Sequence, residues 1–249
     1  MPKFFVTQEQ VKEDKIRIIG NDINHIKNVL REKVGNELTI CNITNEQNYL
    51  CEIVNIEEVI ECKIIKKLEN EVESKIKVTI MQGLPKADKM ELIIQKSVEL
   101  GVYDILPIEM KRCVVKLKEN DKAKKVQRWQ KIAEVAAKQC GRNRIPTIKS
   151  PINLKNICHL MKEYDIVFVA YENETENTIK QELKKLKEKY HQKEIKIAVI
   201  VGPEGGIAPE EVEMLQENKA TTITLGKRIL RTETVALNVL SIIMYELEN

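Results

Sequence analysis

The residues most suited to chemistry lie in a glycine-rich segment, Val201-Gly202-Pro203-Glu204-Gly205-Gly206. Three glycines and a proline in five positions predict a tight turn whose backbone a ligand can approach closely. The spacing fits neither Gly-x-Gly-x-x-Gly nor a phosphate loop with Gly-Lys-Ser/Thr, which argues against dinucleotide and nucleoside-triphosphate binding. The Glu204 carboxylate would also repel a pyrophosphate. The segment therefore suits a ligand that is uncharged or cationic where it touches.

A second segment, Leu225 to Thr234, reads Leu-Gly-Lys-Arg-Ile-Leu-Arg-Thr-Glu-Thr. Arg231 and Glu233 stand next to the predicted start of the last helix, where they can present a cation and a carboxylate to one ligand. A capping threonine with an ion pair that holds the turn would leave the same pattern. A third segment, Val169-Ala170-Tyr171-Glu172, adds an aromatic ring and an acid but indicates little alone.

Positive charge is concentrated between residues 107 and 149, although the net charge of the chain is only +3. This stretch holds basic residues at 111, 112, 116, 118, 122, 124, 125, 128, 131, 138, 142, 144 and 149, against acids at 109, 119, 121 and 134. Such density favours a polyanion-binding surface, with arginines able to grip phosphate, but a solvated helix face has the same composition. With three Phe and one Trp, an aromatic platform for stacked bases is not expected.

Short β-branched segments in the first 68 residues predict a small β-barrel. One helix, Asp22 to Lys33, interrupts the strands, which are Lys3 to Val6, Lys15 to Ile19, Glu37 to Ile43, Tyr49 to Ile56 and Val59 to Lys66. The charged stretch Lys66 to Lys75 has the composition of a linker.

From residue 76 strands and helices alternate, which predicts an α/β fold with an open, mostly parallel sheet. The predicted strands are Ile76 to Gln82, Asp104 to Pro107, Asp165 to Tyr171, Lys196 to Val201 and Thr221 to Leu225. The predicted helices are Ala87 to Leu100, Asp121 to Gln139, Leu154 to Lys162, Thr178 to His191, Pro209 to Asn218 and Glu233 to Leu247. Ligands of such sheets bind beyond the carboxyl ends of the strands. The three segments described above, 169–172, 201–206 and 225–234, all lie at such strand ends.

Composition excludes several classes of protein. With 43% hydrophobic and 32% charged residues, the chain is globular rather than disordered or fibrous. The apolar runs are too short for a membrane span of about 18 residues, and the amino terminus lacks the pattern of a signal peptide. Six cysteines without a Cys-x-x-Cys pair indicate reduced thiols in a cytoplasmic protein, and no metal site is expected. The three histidines are scattered and are assigned no role.

Together the motifs resemble the SPOUT superfamily of RNA methyltransferases, and within it the ribosomal RNA small subunit methyltransferase E family. The resemblance rests on the two glycine segments and extends over the whole chain. It includes Phe4-Phe5-Val6, Leu30-Arg31, Leu84-Pro85-Lys86-x-Asp88-Lys89-Met90, Gln95-Lys96-x-x-Glu99-Leu100-Gly101-Val102, Arg128-Trp129 and Gln139-x-x-Arg142. Ala87, where the family usually has Gly, and Val235, where Ala is common, are small departures.

The resemblance implies a PUA-like, RNA-binding β-barrel over residues 1–70 and a SPOUT domain over 71–249. In the latter the last segment would thread a trefoil knot through a mostly parallel sheet with helices on both faces. It also implies a homodimer and a bent S-adenosylmethionine as cofactor. The cofactor-binding residues would be Tyr171, Glu172, Gly202, Glu204, Gly205, Gly206, Leu225, Gly226, Ile229, Leu230 and Thr234.

The family reaction is methylation of uridine N3 in 16S rRNA of the small ribosomal subunit. We expect Arg231 to stabilise the uridinate and Glu233 or Glu204 to accept its proton. Phosphate contacts are expected from Arg31, Lys86, Lys89, Lys96, Arg112, Arg128, Arg142 and Arg144. Methylation of ribose 2′-OH or of tRNA, and a non-catalytic role in ribosome assembly, are the alternatives.

Overall fold

The computed structural model describes residues 3–69, 72–190 and 194–248. These residues form two compact units. The first comprises the chain up to Glu73 together with residues 137–145, and the second comprises residues 74–136 and 146–249. We call residues 137–145 the return segment, because the chain comes back to the first unit there. No pattern in the sequence indicated this return.

The first unit is built on a curled, six-stranded, barrel-like sheet, as expected. Its strands are β1 (Lys3–Val6), β2 (Val11–Lys12), β3 (Lys15–Ile18), β4 (Glu37–Asn42), β5 (Gln47–Ile56) and β6 (Ile60–Leu68), in the order β1-β4-β5-β6-β3-β2. The β1–β4 pair is parallel and the other pairs are antiparallel. Alternating apolar residues fill its core, among them Phe4, Ile16, Ile40 and Ile53, each at most 1% exposed.

The predicted helix Asp22 to Lys33 is shorter than expected. Helix α1 covers only Asn21–Asn24 and passes into a π-helical turn over His25–Val29. Asparagine, aspartate and β-branched residues are weak helix formers and dominate this stretch. Arg31 then takes a left-handed backbone conformation, with φ of 56°, which ends the helical path.

The return segment is held in the first unit by the Glu73 carboxylate. That carboxylate accepts hydrogen bonds from Arg142 Nη2 at 2.6 Å, Asn143 N at 2.8 Å and Arg144 N at 3.2 Å. Burial alone would raise the pKa of Glu73, but the Arg142 hydrogen bond and charge, with the two N–H groups, lower it below its usual value. The Lys3 ammonium donates to Gly141 O and Asn143 Oδ1, both at 2.6 Å.

The second unit contains a seven-stranded parallel sheet, as the alternation predicts. Its strands are β7 (Ile76–Gly83), β8 (Asp104–Glu109), β9 (Thr147–Ile148), β10 (Ile152–Asn153), β11 (Ile166–Ala170), β12 (Ile195–Val201) and β13 (Thr221–Ile223). The order is β10-β8-β7-β12-β11-β13, with β9 also paired to β8. The central strand β12 is apolar and almost wholly buried, as a strand covered on both faces requires.

After α1, the described residues contain five further α-helices: α2 (Lys89–Glu99), α3 (Glu119–Gln139), α4 (Ile179–Lys189), α5 (Pro209–Glu217) and α6 (Thr232–Glu248). Helix α6 packs on α2, α4, β7 and β12. The predicted helix Leu154 to Lys162 is wrong, since two short 3₁₀ turns, Leu154–Asn156 and Leu160–Glu163, replace it. The weak helix formers between residues 156 and 159 explain the interruption. His191 lies outside the described residues, and the knot stays a prediction.

Candidate functional site

A cleft of about 550 Å³ opens at the carboxyl ends of β11, β12 and β13. The last residues of these strands, Ala170, Val201 and Ile223, line its floor. The glycine loop (Gly202 to Gly206) forms one wall, and the segment from Thr224 to Arg231 forms another. The fold thus places a pocket of the size usual for small ligands where parallel sheets generally bind them.

The glycine loop is shaped for close contact with Glu172. Gly206 has φ of +70°, and a Cβ built on it would lie 2.2 Å from Glu172 Oε1. No side chain fits at position 206 unless the carboxylate moves. The turn is closed by a 2.9 Å hydrogen bond from Gly206 N to Pro203 O. The pocket therefore has a bare backbone on one side and a carboxylate directly against it.

The opposite wall carries the rim loop, Gly226 to Arg231. Gly226 has φ of +117° with open space where a Cβ would be. The side chains of Lys227, Arg228 and Arg231 are exposed, and that of Ile229 is 88% exposed. The predicted enclosure of a cofactor by Ile229 therefore does not come from its side chain in this structure. Half-buried Leu225 and Leu230 are the apolar members of this wall.

Thr232, at the start of α6, joins the two walls. Its hydroxyl donates to Gly202 O at 2.6 Å and accepts from Gln82 Nε2 at 2.9 Å. Gln82 is fully buried at the end of β7 and also donates to Gly83 O. Because Gln82 donates to the hydroxyl oxygen of Thr232, the hydroxyl proton is the one that forms the hydrogen bond to Gly202 O. Gln82 and Thr232 thus set the spacing between the glycine loop and α6.

Lys89 lies between the two candidate catalytic carboxylates. Its Nζ is 3.1 Å from Glu204 Oε1 and 3.2 Å from Glu233 Oε2. Glu204 Oε1 also accepts a 3.0 Å hydrogen bond from Lys86 N. The hydrogen bond to Glu204 is the main reason why the pKa of Lys89 is raised.

The same contacts act on Glu204. Its partial burial raises the pKa, but the N–H groups of Glu204 and Lys86 and the Lys89 ammonium outweigh burial, so the net pKa is lowered. Glu204 is therefore ionised at neutral pH and a weak proton acceptor. Three separate parts of the sequence, around residues 89, 204 and 233, meet through these ion pairs.

The structure brings together most of the predicted pocket residues. Every predicted cofactor residue except Thr234 lines the cleft, as do the catalytic candidates Arg231 and Glu204. Glu233 is not among the lining residues and reaches the edge of the cleft through Lys89. Thr234 is exposed on the first turn of α6.

The predicted phosphate-binding cations are mostly engaged elsewhere. Arg112 Nη1 donates to the carbonyl oxygens of Gly205 at 3.0 Å and Ile207 at 3.4 Å, against the back of the glycine loop. Ion pairs join Lys96 to Glu99 and Arg128 to Glu91. Arg31 and Lys86 are exposed.

Two of these cations belong to the return segment. Arg142 is only 6% exposed and holds Glu73, and Arg144 is half-buried beside it. A buried guanidinium that is already paired has no free face for phosphate. We therefore leave Arg142 out of any RNA surface.

Sequence reasoning missed Gln82, considered Thr232 only as a helix start or cap, and assigned Lys89 to phosphate instead of carboxylates. A signal existed for Gln82, because it lies in the predicted strand Ile76 to Gln82 of a parallel sheet, where glutamine is rarely buried. No comparable signal marks Lys89. Within the described residues, no group of three or more His, Cys, Asp or Glu side chains could hold a metal ion.

Comparison with known proteins identifies the class to which this fold and cleft belong. Residues 72–244 match the model of an RNA methyltransferase domain, and residues 18–65 match that of an RNA methyltransferase PUA domain. The chain is 35% identical over its full length to ribosomal RNA small subunit methyltransferase E of Bacillus subtilis, covering 98% of that protein. It is 34% identical over 97% of its length to the protein of that name from Mesomycoplasma hyopneumoniae, again covering 98%.

Solved structures give the same result. The Neisseria gonorrhoeae ribosomal RNA small subunit methyltransferase E, bound to S-adenosyl methionine, is similar with a TM-score of 0.84 and 28% identity. The alignment covers 98% of this chain and 97% of that one. A putative methyltransferase from Legionella pneumophila with bound cofactor has a TM-score of 0.83 and 29% identity over 98% of this chain and 96% of that one. The chain belongs to the ribosomal RNA small subunit methyltransferase E family.

Proposed function

We propose that the protein transfers a methyl group from S-adenosylmethionine to N3 of a uridine in 16S rRNA. The observation that carries this proposal is the cleft between the glycine loop and the rim loop, which places carboxylates and bare backbone at the ends of three parallel strands. Full-length similarity to named small-subunit methyltransferases supports the substrate class. The particular position on the base follows from the family resemblance.

The residues present fit this cofactor. S-adenosylmethionine is cationic at sulfur and carries no phosphate, and the cleft presents the Glu172 and Glu204 carboxylates without a phosphate loop. Half-buried Leu225 and Leu230, with the adjoining backbone, suit the adenine, while Gly202, Gly205 and Gly206 border the remainder. When bound, the cofactor supplies a methyl group that its sulfonium already activates. Ionised Glu204 favours that positive charge.

The protein must then make the uridine nucleophilic. N3 carries a proton at neutral pH, and if its pKa lies about two units above neutrality, ionisation costs roughly 2.7 kcal/mol. Among the residues that line the cleft, Arg231 has an exposed guanidinium beside the first turn of α6, with no ion pair in the described chain. We assign to it the stabilisation of negative charge on the uracil oxygens.

We assign proton acceptance to Glu233 rather than Glu204. Glu204 is a weak base because three donors hold its carboxylate in the ionised form and lower its pKa. Glu233 is 15% exposed, and Lys89 pairs with one of its oxygens. N3 lies on the Watson–Crick edge, so the target base has to be unpaired or extruded before it reacts.

We further propose that the protein acts as a homodimer in the cytoplasm, where its ribosomal substrate is made. The outer face of α6 supports a dimer: Tyr245 is 71% exposed, and Leu237 and Ile242 are half-buried on this helix. Such an apolar face is typical of a surface that another protein covers. None of the described helices is long and apolar enough to cross a bilayer.

The test combines small ribosomal subunits that lack the modification with labelled S-adenosylmethionine and the purified protein. We expect label in 16S rRNA and, after digestion and mass spectrometry, 3-methyluridine as the product. Arg231→Ala should transfer label about 10²–10³-fold more slowly, whereas Lys162→Ala, at an exposed lysine before β11, should be fully active. A ribose-methylated nucleoside or no transfer at all would each contradict the proposal, as would label in tRNA that is supplied in a parallel reaction.

A further inference from the structure

The distribution of charge differs between two sides of the cleft. The side next to the glycine loop carries the Glu172 and Glu204 carboxylates, with Lys89 paired to Glu204. The rim loop carries Lys227, Arg228 and Arg231, all exposed. A cleft with an acidic side and a basic side suits a cationic ligand against the first and a polyanion against the second.

The rim cations also differ from most of the cations predicted to contact RNA. Lys89, Lys96, Arg112, Arg128 and Arg142 each hold a carboxylate or a backbone carbonyl. In the described chain, the side chains of Lys227 and Arg228 form neither an ion pair nor a hydrogen bond. Their charges therefore remain available to a partner.

The backbone explains why these charges stay unpaired. Gly226, at φ of +117°, has no atom within 4 Å of the position of a Cβ, so the rim loop begins in open space. The three rim cations and the 88% exposed Ile229 follow within five residues. Like charges so close together repel one another, and bound phosphates would remove that repulsion.

We propose that Lys227 and Arg228 bind the phosphates that flank the target nucleotide and so guide the extruded base towards Arg231. The proposal rests on the proposed function, since it needs an RNA substrate at this cleft. RNA is favoured over a second copy of the chain, because residues 226–231 carry three cations and no acid, which matches a polyanion. These contacts would add affinity but no base specificity.

The experiment measures RNA binding and cofactor binding separately for the double variant Lys227→Ala/Arg228→Ala. The RNA probes are single-stranded polyuridylate and unmodified small subunits, at several salt concentrations, and calorimetry gives the affinity for S-adenosylmethionine. We expect about tenfold weaker RNA binding at physiological salt and a salt slope shallower by about 2, one for each lost phosphate contact. Affinity for the cofactor should stay within twofold of wild type.

Two further variants make the result specific. Lys227→Arg/Arg228→Lys keeps both charges and should keep the salt slope. Lys162→Ala/Lys196→Ala removes two exposed lysines near the amino ends of β11 and β12, the edge of the sheet opposite the cleft, and should leave RNA affinity unchanged.

Three outcomes would overturn the proposal: unchanged RNA affinity in the rim variant, an equal loss in the Lys162/Lys196 variant, or a parallel loss of cofactor affinity. A change in oligomeric state would also overturn it and assign the rim to a protein contact. If the wild-type protein binds the cofactor but methylates no rRNA, the proposed function fails instead, which separates the two results.

Discussion

The return segment and the rim loop look alike in sequence but serve different ends in the structure. Each carries two arginines within four residues, Arg142 and Arg144 in one and Arg228 and Arg231 in the other. In the return segment, Glu73 holds the Arg142 guanidinium and the backbone N–H of Arg144. In the rim loop, both arginine side chains are exposed and line a cleft. A run of basic residues thus reveals a function only once the partners of its side chains are known.

The largest expected effect concerns the paired side of this comparison. Glu73→Ala would leave the Arg142 guanidinium buried without its carboxylate, which typically costs about 3–5 kcal/mol. We expect a correspondingly lower denaturant midpoint for the first unit, followed by intrinsic fluorescence and circular dichroism. Glu61→Ala is the matched control, because its pair with Arg17 is exposed and should contribute about 0–1 kcal/mol. Equal effects of the two substitutions would contradict the stabilising role of the pair between Glu73 and Arg142.

Replacing one arginine of each region by alanine tests the comparison directly. Arg231→Ala should lower kcat by about 10²–10³-fold, as loss of a donor to a developing oxyanion does, with folding stability and cofactor affinity nearly unchanged. Arg142→Ala should do the reverse, since it lowers stability but leaves the activity of each folded molecule intact. Steady-state kinetics and thermal unfolding of both variants provide the check. The comparison breaks if Arg231→Ala unfolds the protein or if Arg142→Ala abolishes turnover.

Thr232, which follows the rim loop at the start of α6, offers a finer test. Thr232→Val keeps the shape of the side chain but removes its donor to Gly202 O and its acceptor for Gln82, at a cost of about 1–2 kcal/mol. We expect up to about tenfold weaker cofactor binding by calorimetry, because the walls of the cleft lose their spacing. Thr232→Ser, which retains the hydroxyl, should keep wild-type affinity for the cofactor. Failure of serine to do so would mean that packing, and not the hydroxyl, matters.

The smallest effect is a dependence of stability on pH. Glu73 has a lowered pKa in the folded state, so the unfolded state binds more protons as pH falls below the ordinary value of 4.5. The stabilisation is present above that pH and is lost as pH falls through the lower folded value. Glu73→Gln should remove this part of the acid dependence in urea titrations at pH 3–6. An unchanged pH profile would show that Glu73 is not the responsible group.

The cleft could be predicted largely from sequence because its parts are local. An apolar strand followed by glycines, as at Ile195–Val201 and Gly202, indicates both a buried strand and a bare loop at its end. The same reasoning places Tyr171 and Glu172 after β11. Neighbouring parallel strands then bring these ends together without any further information from side chains.

The contacts that organise the site could not be predicted, because they join residues far apart in the chain. Glu73 and Arg142 are 69 positions apart, and Lys86 and Glu204 are 118 apart. An ion pair carries no pattern of its own in a sequence with this many charges. One local feature beside Lys86 could be noticed in the sequence, namely Ala87. Its φ of 51° is the left-handed conformation, which the glycine usual at this position of the family would adopt more easily.

The return segment limits how a gene for this chain can be divided. A clone that stops after Glu73 encodes every strand of the six-stranded sheet. It omits Gly141 and Asn143, whose oxygens accept hydrogen bonds from the Lys3 ammonium. Asn143 Oδ1 also accepts a hydrogen bond from the Asn48 amide at 2.7 Å. In the truncated product, the Lys3 ammonium and the Asn48 amide would lose these acceptors. A self-contained version of the unit therefore needs residues 137–145 spliced to its carboxyl end through an artificial connector.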